Sequence, residues 1–148
     1  MNKPQLITGG IAVDDRGSLR FVNEFAFAGV KRFYQVSNFS TDTVRAWHGH
    51  KKEQKWVYVA KGSAIVAAVE FDDDVKPSPE KVVHRFVLSD KNPGILAIPA
   101  GYANGFRPLE PETTIIFFSS SRLEDAKGDD FRFPHDYWGK DVWDVIHR

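Results

Sequence analysis

The chain has 148 residues, enough for one domain with a core of its own. Its 20 Lys and Arg balance its 20 Asp and Glu, so no basic excess exists to hold a nucleic-acid backbone, although a local basic pocket for a phosphorylated small molecule fits that balance. There is no cysteine for disulfides or thiolate metal sites, no apolar run of membrane-spanning length and no signal-peptide pattern at the start, so a cytosolic protein is expected.

Residues 1–11 read as a short lead-in. Asp14, Asp15, Arg16, Gly17 and Ser18 form a turn signal, with the acids and the glycine as punctuation. Strands are expected over 19–25, 31–37 and 44–50. A polar turn of Lys, Glu and Gln leads to a β-rich run over 55–60, closed by Gly62 and followed by a strand over 63–71. Residues 72–79 make an acidic, proline-broken loop that reads as a solvated hairpin tip. Further strands are expected over 82–88, 95–98 and 113–119, the last mostly β-branched and aromatic. About eight or nine short strands with turns between them describe a single all-β domain over 1–148, a sandwich or barrel. The one candidate helix is 137–148, where Val142, Val145 and Ile146 fall on one stripe.

The stretch from Arg45 to Gly62 organises the rest. His48 and His50 are one residue apart, and on a strand such residues share a face. Both imidazoles therefore enter whatever that face encloses. Tyr34 and Gln35 are strand neighbours, so at most one of them points inward. Lys55 has a plain alternative to function, as a solvated lysine at a strand start. Arg16 has one too, as a turn residue paired with Asp14 or Asp15. Trp47, Trp56, Tyr58 and Phe106 read as core or dimer surface.

The spacing resembles the two motifs of the cupin superfamily, whose fold is a double-stranded β-helix or jelly roll. The first motif is matched by His48-x-His50, four residues, Lys55, six residues and Gly62; Lys stands at the Glu position. The second is matched by Pro99-Ala100-Gly101-Tyr102-Ala103-Asn104, with Asn at the His position. A protonated lysine has no lone pair, and two imidazoles with one amide oxygen hold a divalent ion poorly, so no metal and no cofactor are expected. An alternative registers Glu53 as the missing carboxylate.

Within the superfamily the chain resembles enzymes of nucleotide-linked 4-keto-6-deoxyhexoses: the 3,5-epimerases and the 3,4-ketoisomerases. Asp15-Arg16-Gly17, Phe33 to Ser40, Arg45-Ala46-Trp47-His48, Gln54-Lys55-Trp56-Val57 and Ile98 to Phe106 match epimerase motifs. Lys31 to Tyr34 and Arg45 to Lys51 match the ketoisomerases. One departure stands out: the epimerases carry an acidic Tyr on the strand after the Gly-Phe motif, and Ile115 to Phe118 has no hydroxyl. A late Asp that holds the epimerase base has three candidates, Asp129, Asp130 and Asp136.

The resemblance implies removal of a proton beside a ketone, which needs a base at the carbon and a cation or donor at the oxygen. His48 is the natural base, Lys55 the cation for the enolate oxygen, and Tyr34 a candidate acid, with a proton relay by His50 as the other option. Arg16 and Arg45 suit a diphosphate; Gln35, His50 and Asn104 complete the expected substrate contacts. The resemblance implies a 3,5-epimerase-like activity on a dTDP-linked substrate, in a homodimer. The alternatives are 3,4-ketoisomerisation, a non-catalytic sugar-nucleotide-binding cupin, and a metal-dependent cupin.

Overall fold

The computed structural model describes residues 2–148. Twelve strands run in chain order: β1 Gln5–Thr8, β2 Gly10–Asp14, β3 Gly17–Phe21, β4 Arg32–Val36, β5 Arg45–His50, β6 Lys55–Lys61, β7 Ser63–Glu70, β8 Val83–Ser89, β9 Gly94–Ile98, β10 Tyr102–Pro108, β11 Thr114–Ser119 and β12 Phe131–Arg132. Among the described residues one helical turn, α1 Leu123–Ala126, precedes β12. Two five-stranded antiparallel sheets, ordered β1-β9-β6-β11-β4 and β12-β5-β10-β7-β8, enclose the core; β2 and β3 pair only with each other. This is the jelly-roll arrangement. Among the described residues, no helix is long and apolar enough to cross a membrane.

Alternation decides what each inner face presents. On β6 the residues sharing a face are Lys55, Val57 and Val59, all buried. Val57 and Val59 join Val66, Leu96, Ile98, Phe106 and Ile115 in the core between the sheets. On β5 the odd member out is Trp47, which points the other way, into a second aromatic cluster with Trp138 and Trp143. The acidic loop lies between β7 and β8, which pair as a hairpin, and its own carboxylates tie it. Asp73 accepts from the backbone of Val75 and Lys76, and Asp72 from Ser78.

Three larger features differ from the sequence expectation, besides the strand expected over 19–25, which runs instead over Gly17–Phe21. The lead-in holds β1 and the start of β2. The motif at Tyr102 to Phe106 lies on a central strand, β10, flanked by β5 and β7. Gly105 is needed there, because a Cβ would stand 2.3 Å from the Cβ of Ala46, beside the register shift of the β5–β10 pair. The third difference is the C-terminus. Residues 137–148 form turns and irregular chain instead of a helix. Trp138, Val142 and Trp143 are buried, while Val145 and Ile146 are exposed, so they do not share one stripe. The carbonyls are also committed elsewhere: Val142 and Asp144 accept from Arg85, and Trp143 accepts from Arg107. Trp47 and Trp143 both donate to the carbonyl of His135.

Candidate active site

Five strands direct side chains into one cavity of about 310 Å³. Arg32, Tyr34 and Val36 come from β4, His48 and His50 from β5, Lys55 from β6, Asn104 and Phe106 from β10, and Phe117 from β11. The α1 turn and β12 close one side with Lys127, Asp130 and Arg132. Five cations, Arg32, Arg45, Lys55, Lys127 and Arg132, face two carboxylates, Glu53 and Asp130. That balance suits an anionic ligand.

Lys55 is not a solvated strand-start residue. It is 7% exposed, held inward by the same alternation that buries Val57 and Val59. Its ammonium donates to the Tyr34 hydroxyl at 2.8 Å. A protonated lysine has only donors, so Tyr34 must be the acceptor and its own hydrogen is turned away from Lys55. The Tyr34 ring stacks on Phe117 at 5.2 Å between centroids and 9° between planes, and these two residues are register partners across β4 and β11. The guanidinium of Arg32 lies 5.0 Å from the Tyr34 centroid.

His48 sits opposite Asn104 in the β5–β10 pair, and the Asn104 amide donates to the His48 carbonyl at 3.3 Å. Burial pushes the His48 imidazole down to about 4, with Arg132 and Lys55 acting in the same direction and Asp130 against it. It is therefore neutral at pH 7, with a lone pair for a proton. His50 is pushed down as well, first by burial and then by Lys55. Its Nδ1 donates to the Asp129 carbonyl at 2.6 Å, which leaves Nε2 as the acceptor nitrogen.

Other expected residues lie elsewhere. Tyr34 takes the inward place on β4, so Gln35 faces outward and does not line the cavity. Arg16 stands on the β2–β3 hairpin, 86% exposed, paired with Asp14 and outside this cavity. Arg45 is at the rim, donating to Asn38 at 2.6 Å. The three late aspartates separate. Asp129 accepts from the backbone of Lys51, Lys52 and Glu53, closing the turn after β5. Asp130 faces the cavity, bonded to Arg132 at 2.9 and 3.1 Å. Asp136 is exposed. Glu53 approaches one imidazole only, its Oε1 lying 3.3 Å from His50 Nδ1, while its Oε2 accepts from Arg32 and from Ser119. Arg32, Phe117, Lys127 and Arg132 escaped the sequence reading, and Glu53 entered it only as the alternative carboxylate of a metal site. For Arg32 the signal was present, two residues before Tyr34 on one strand face.

A family model described as dTDP-4-dehydrorhamnose 3,5-epimerase matches residues 5–133. The chain belongs to the dTDP-4-dehydrorhamnose 3,5-epimerase family. It is 32% identical over 94 residues to the spore coat polysaccharide biosynthesis protein SpsL of Bacillus subtilis, covering 63% of this chain and 61% of SpsL, under two thirds of that relative's length. Its fold is similar to the dTDP-4-dehydrorhamnose 3,5-epimerase of Bacillus anthracis solved with TDP and pyrophosphate, at a TM-score of 0.75 and 21% identity, covering 97% of this chain and 86% of the other. It is also similar to QdtA, a sugar 3,4-ketoisomerase of Thermoanaerobacterium thermosaccharolyticum in complex with TDP, at 0.67 and 18%, covering 93% of each. Against the epimerase pattern, Phe117 occupies the cavity side of β11 without a hydroxyl, and the phenol nearest to it is that of Tyr34 on the next strand.

The depressed histidines give a pH dependence with a definite sign. Their folded values lie below the unfolded value of about 6.5, so below that pH the unfolded chain binds more protons. Stability is full above about pH 6.5 and declines as pH falls toward about 4. His48→Asn removes one of the two groups, so its melting temperature should fall less than that of the wild type between about pH 7 and about pH 4.5. Equal falls would show that His48 is not held neutral by its surroundings.

Proposed function

We propose that the chain is a metal-independent epimerase of a dTDP-linked 4-keto-6-deoxyhexose. The observation that carries this is the Lys55–Tyr34 hydrogen bond in the same cavity as the neutral imidazole of His48. His48 takes the proton from the carbon beside the ketone. The electron pair moves to the carbonyl oxygen, where the Lys55 ammonium, with donors to spare, holds the enolate. Tyr34 gives its hydrogen to the new C–H bond, and the phenolate left behind stays beside Lys55. A general base of this kind contributes roughly 10²–10⁴-fold. No step calls on a metal: the residues at the two altered motif positions, Lys55 and Asn104, bring an ammonium and an amide to the cavity. The cation-rich rim, with Arg45, Lys127 and Arg132, suits the diphosphate.

One observation favours a second reading. Phe117 leaves β11 without an acid, so proton delivery is confined to the Tyr34 side, as 3,4-ketoisomerisation through a C3–C4 enediol would need. A homodimer is also proposed. Support comes from the β2–β3 hairpin, paired to neither sheet, which exposes Val13 and Leu19 at 73% and 65%, and from Phe33 on the open edge strand β4 at 68%. Sedimentation as a single chain at micromolar concentration would contradict it.

Incubation with dTDP-4-keto-6-deoxyglucose in deuterium oxide tests the reaction. The epimerase reading predicts deuterium at both C3 and C5, and His48→Asn should lower the rate roughly 10²-fold or more with nucleotide-sugar affinity kept. Label at C3 alone selects the ketoisomerase. No label at either carbon, with tight binding, would mean a site kept for recognition.

A further inference from the structure

The reaction above leaves one buried carboxylate unused. Glu53 is 2% exposed, in the turn between β5 and β6. The turn itself does not need its side chain, because the Asp129 carboxylate binds the backbone N–H groups of Lys51, Lys52 and Glu53. A carboxylate buried this far persists only when paired and hydrogen-bonded. Arg32 supplies the charge, donating from Nη2 at 3.2 Å, and the Ser119 hydroxyl donates to the same oxygen. Arg32 is pinned a second time, donating from Nε to the Ser121 carbonyl at 3.0 Å. Pinned in this way, its guanidinium lies against the Tyr34 ring, 5.0 Å from the centroid. Phe117 stacks on the same ring, and Lys55 holds the hydroxyl. Three contacts thus hold the phenol, and Glu53 is, among the described residues, the one charged partner of the guanidinium that makes one of them.

We infer that Glu53 is a positioning residue for the reaction: through Arg32 it holds the Tyr34 phenol where its hydroxyl meets both Lys55 and the substrate. This rests on the acid role proposed for Tyr34. It assigns Glu53 to turnover, through the placement of one proton donor, and gives it no contact with the ligand.

A double-mutant cycle on kcat, with dTDP-4-keto-6-deoxyglucose as the probe, tests it. Glu53→Gln keeps the shape and removes the charge; it should lower kcat about 10-fold with KM changed less than about 2-fold. In a Tyr34→Phe background the same substitution should lower kcat no further, because the group it positions is already gone. An equal loss in both backgrounds would assign Glu53 a role independent of Tyr34 and overturn the inference, as would an unchanged kcat in Glu53→Gln alone. Should that variant fail to fold, Glu53→Gln with Arg32→Gln leaves no unpaired charge and is expected to show the same loss and the same dependence on Tyr34. A wild-type chain that moves no deuterium would overturn the reaction and this role together, whereas an active wild type with an additive cycle overturns the role alone.

Discussion

The site depends on one buried charge. Lys55 stands at the end of the column of core residues on β6, followed on the same face by Val57 and Val59. An ammonium at that depth is tolerable only with acceptors in reach, since burial disfavours the charged form and an unpaired charge is costly. Tyr34 provides the acceptor from β4, two strands away across β11. The bond therefore spans Phe117, which lies between the two strands and stacks on the phenol it separates from β6. One polar contact thus accounts for an inward lysine, an inward tyrosine and the flat aromatic surface between them. It also gives the cavity a cation next to a proton donor, which is what an enolate needs.

In the proposed reaction, the same contact supplies the phenol that β11 lacks. Register partners on adjacent antiparallel strands lie side by side on one face. The Tyr34 phenol is displaced from the Phe117 position by one strand spacing, about 5 Å. The donor then approaches the cavity from the β4 side, nearer Arg32 and Glu53. The Arg32–Glu53–Ser119 group supports a phenol at that place, with the half-buried guanidinium against its ring.

Much of this was legible in the sequence, because strand alternation is a strong signal wherever one face is buried. It placed His48 with His50, set Tyr34 against Gln35, and located most strands within a residue or two. It failed on β10, whose Ala-Asn-Gly-Phe-Arg-Pro composition has poor strand propensity. That strand is held by its two neighbours, with Gly105 opposite the extra residue of β5. It failed at the C-terminus, where arginines from β8 and β10 capture carbonyls that a helix would have used. The Arg32–Glu53–Ser119 group was hidden for another reason: its members are far apart in sequence, and only the β6–β11–β4 register brings them together. The late aspartates could not be sorted by spacing either, since neighbouring Asp129 and Asp130 face a backbone turn and the cavity respectively.

The central claim is a division of labour, with His48 removing the proton and the Lys55-held Tyr34 supplying one. The most direct measurement follows both halves at once in Tyr34→Phe, counting deuterium wash-in beside the ketone and product formation in the same sample. The account predicts that wash-in persists, because His48 and Lys55 remain and the proton returns to the face it left. Product should fall by roughly 10²-fold or more, because the donor for the other site is missing. Product formed at the wild-type rate in that variant would contradict the account and return the search for the acid to the remaining groups of the cavity.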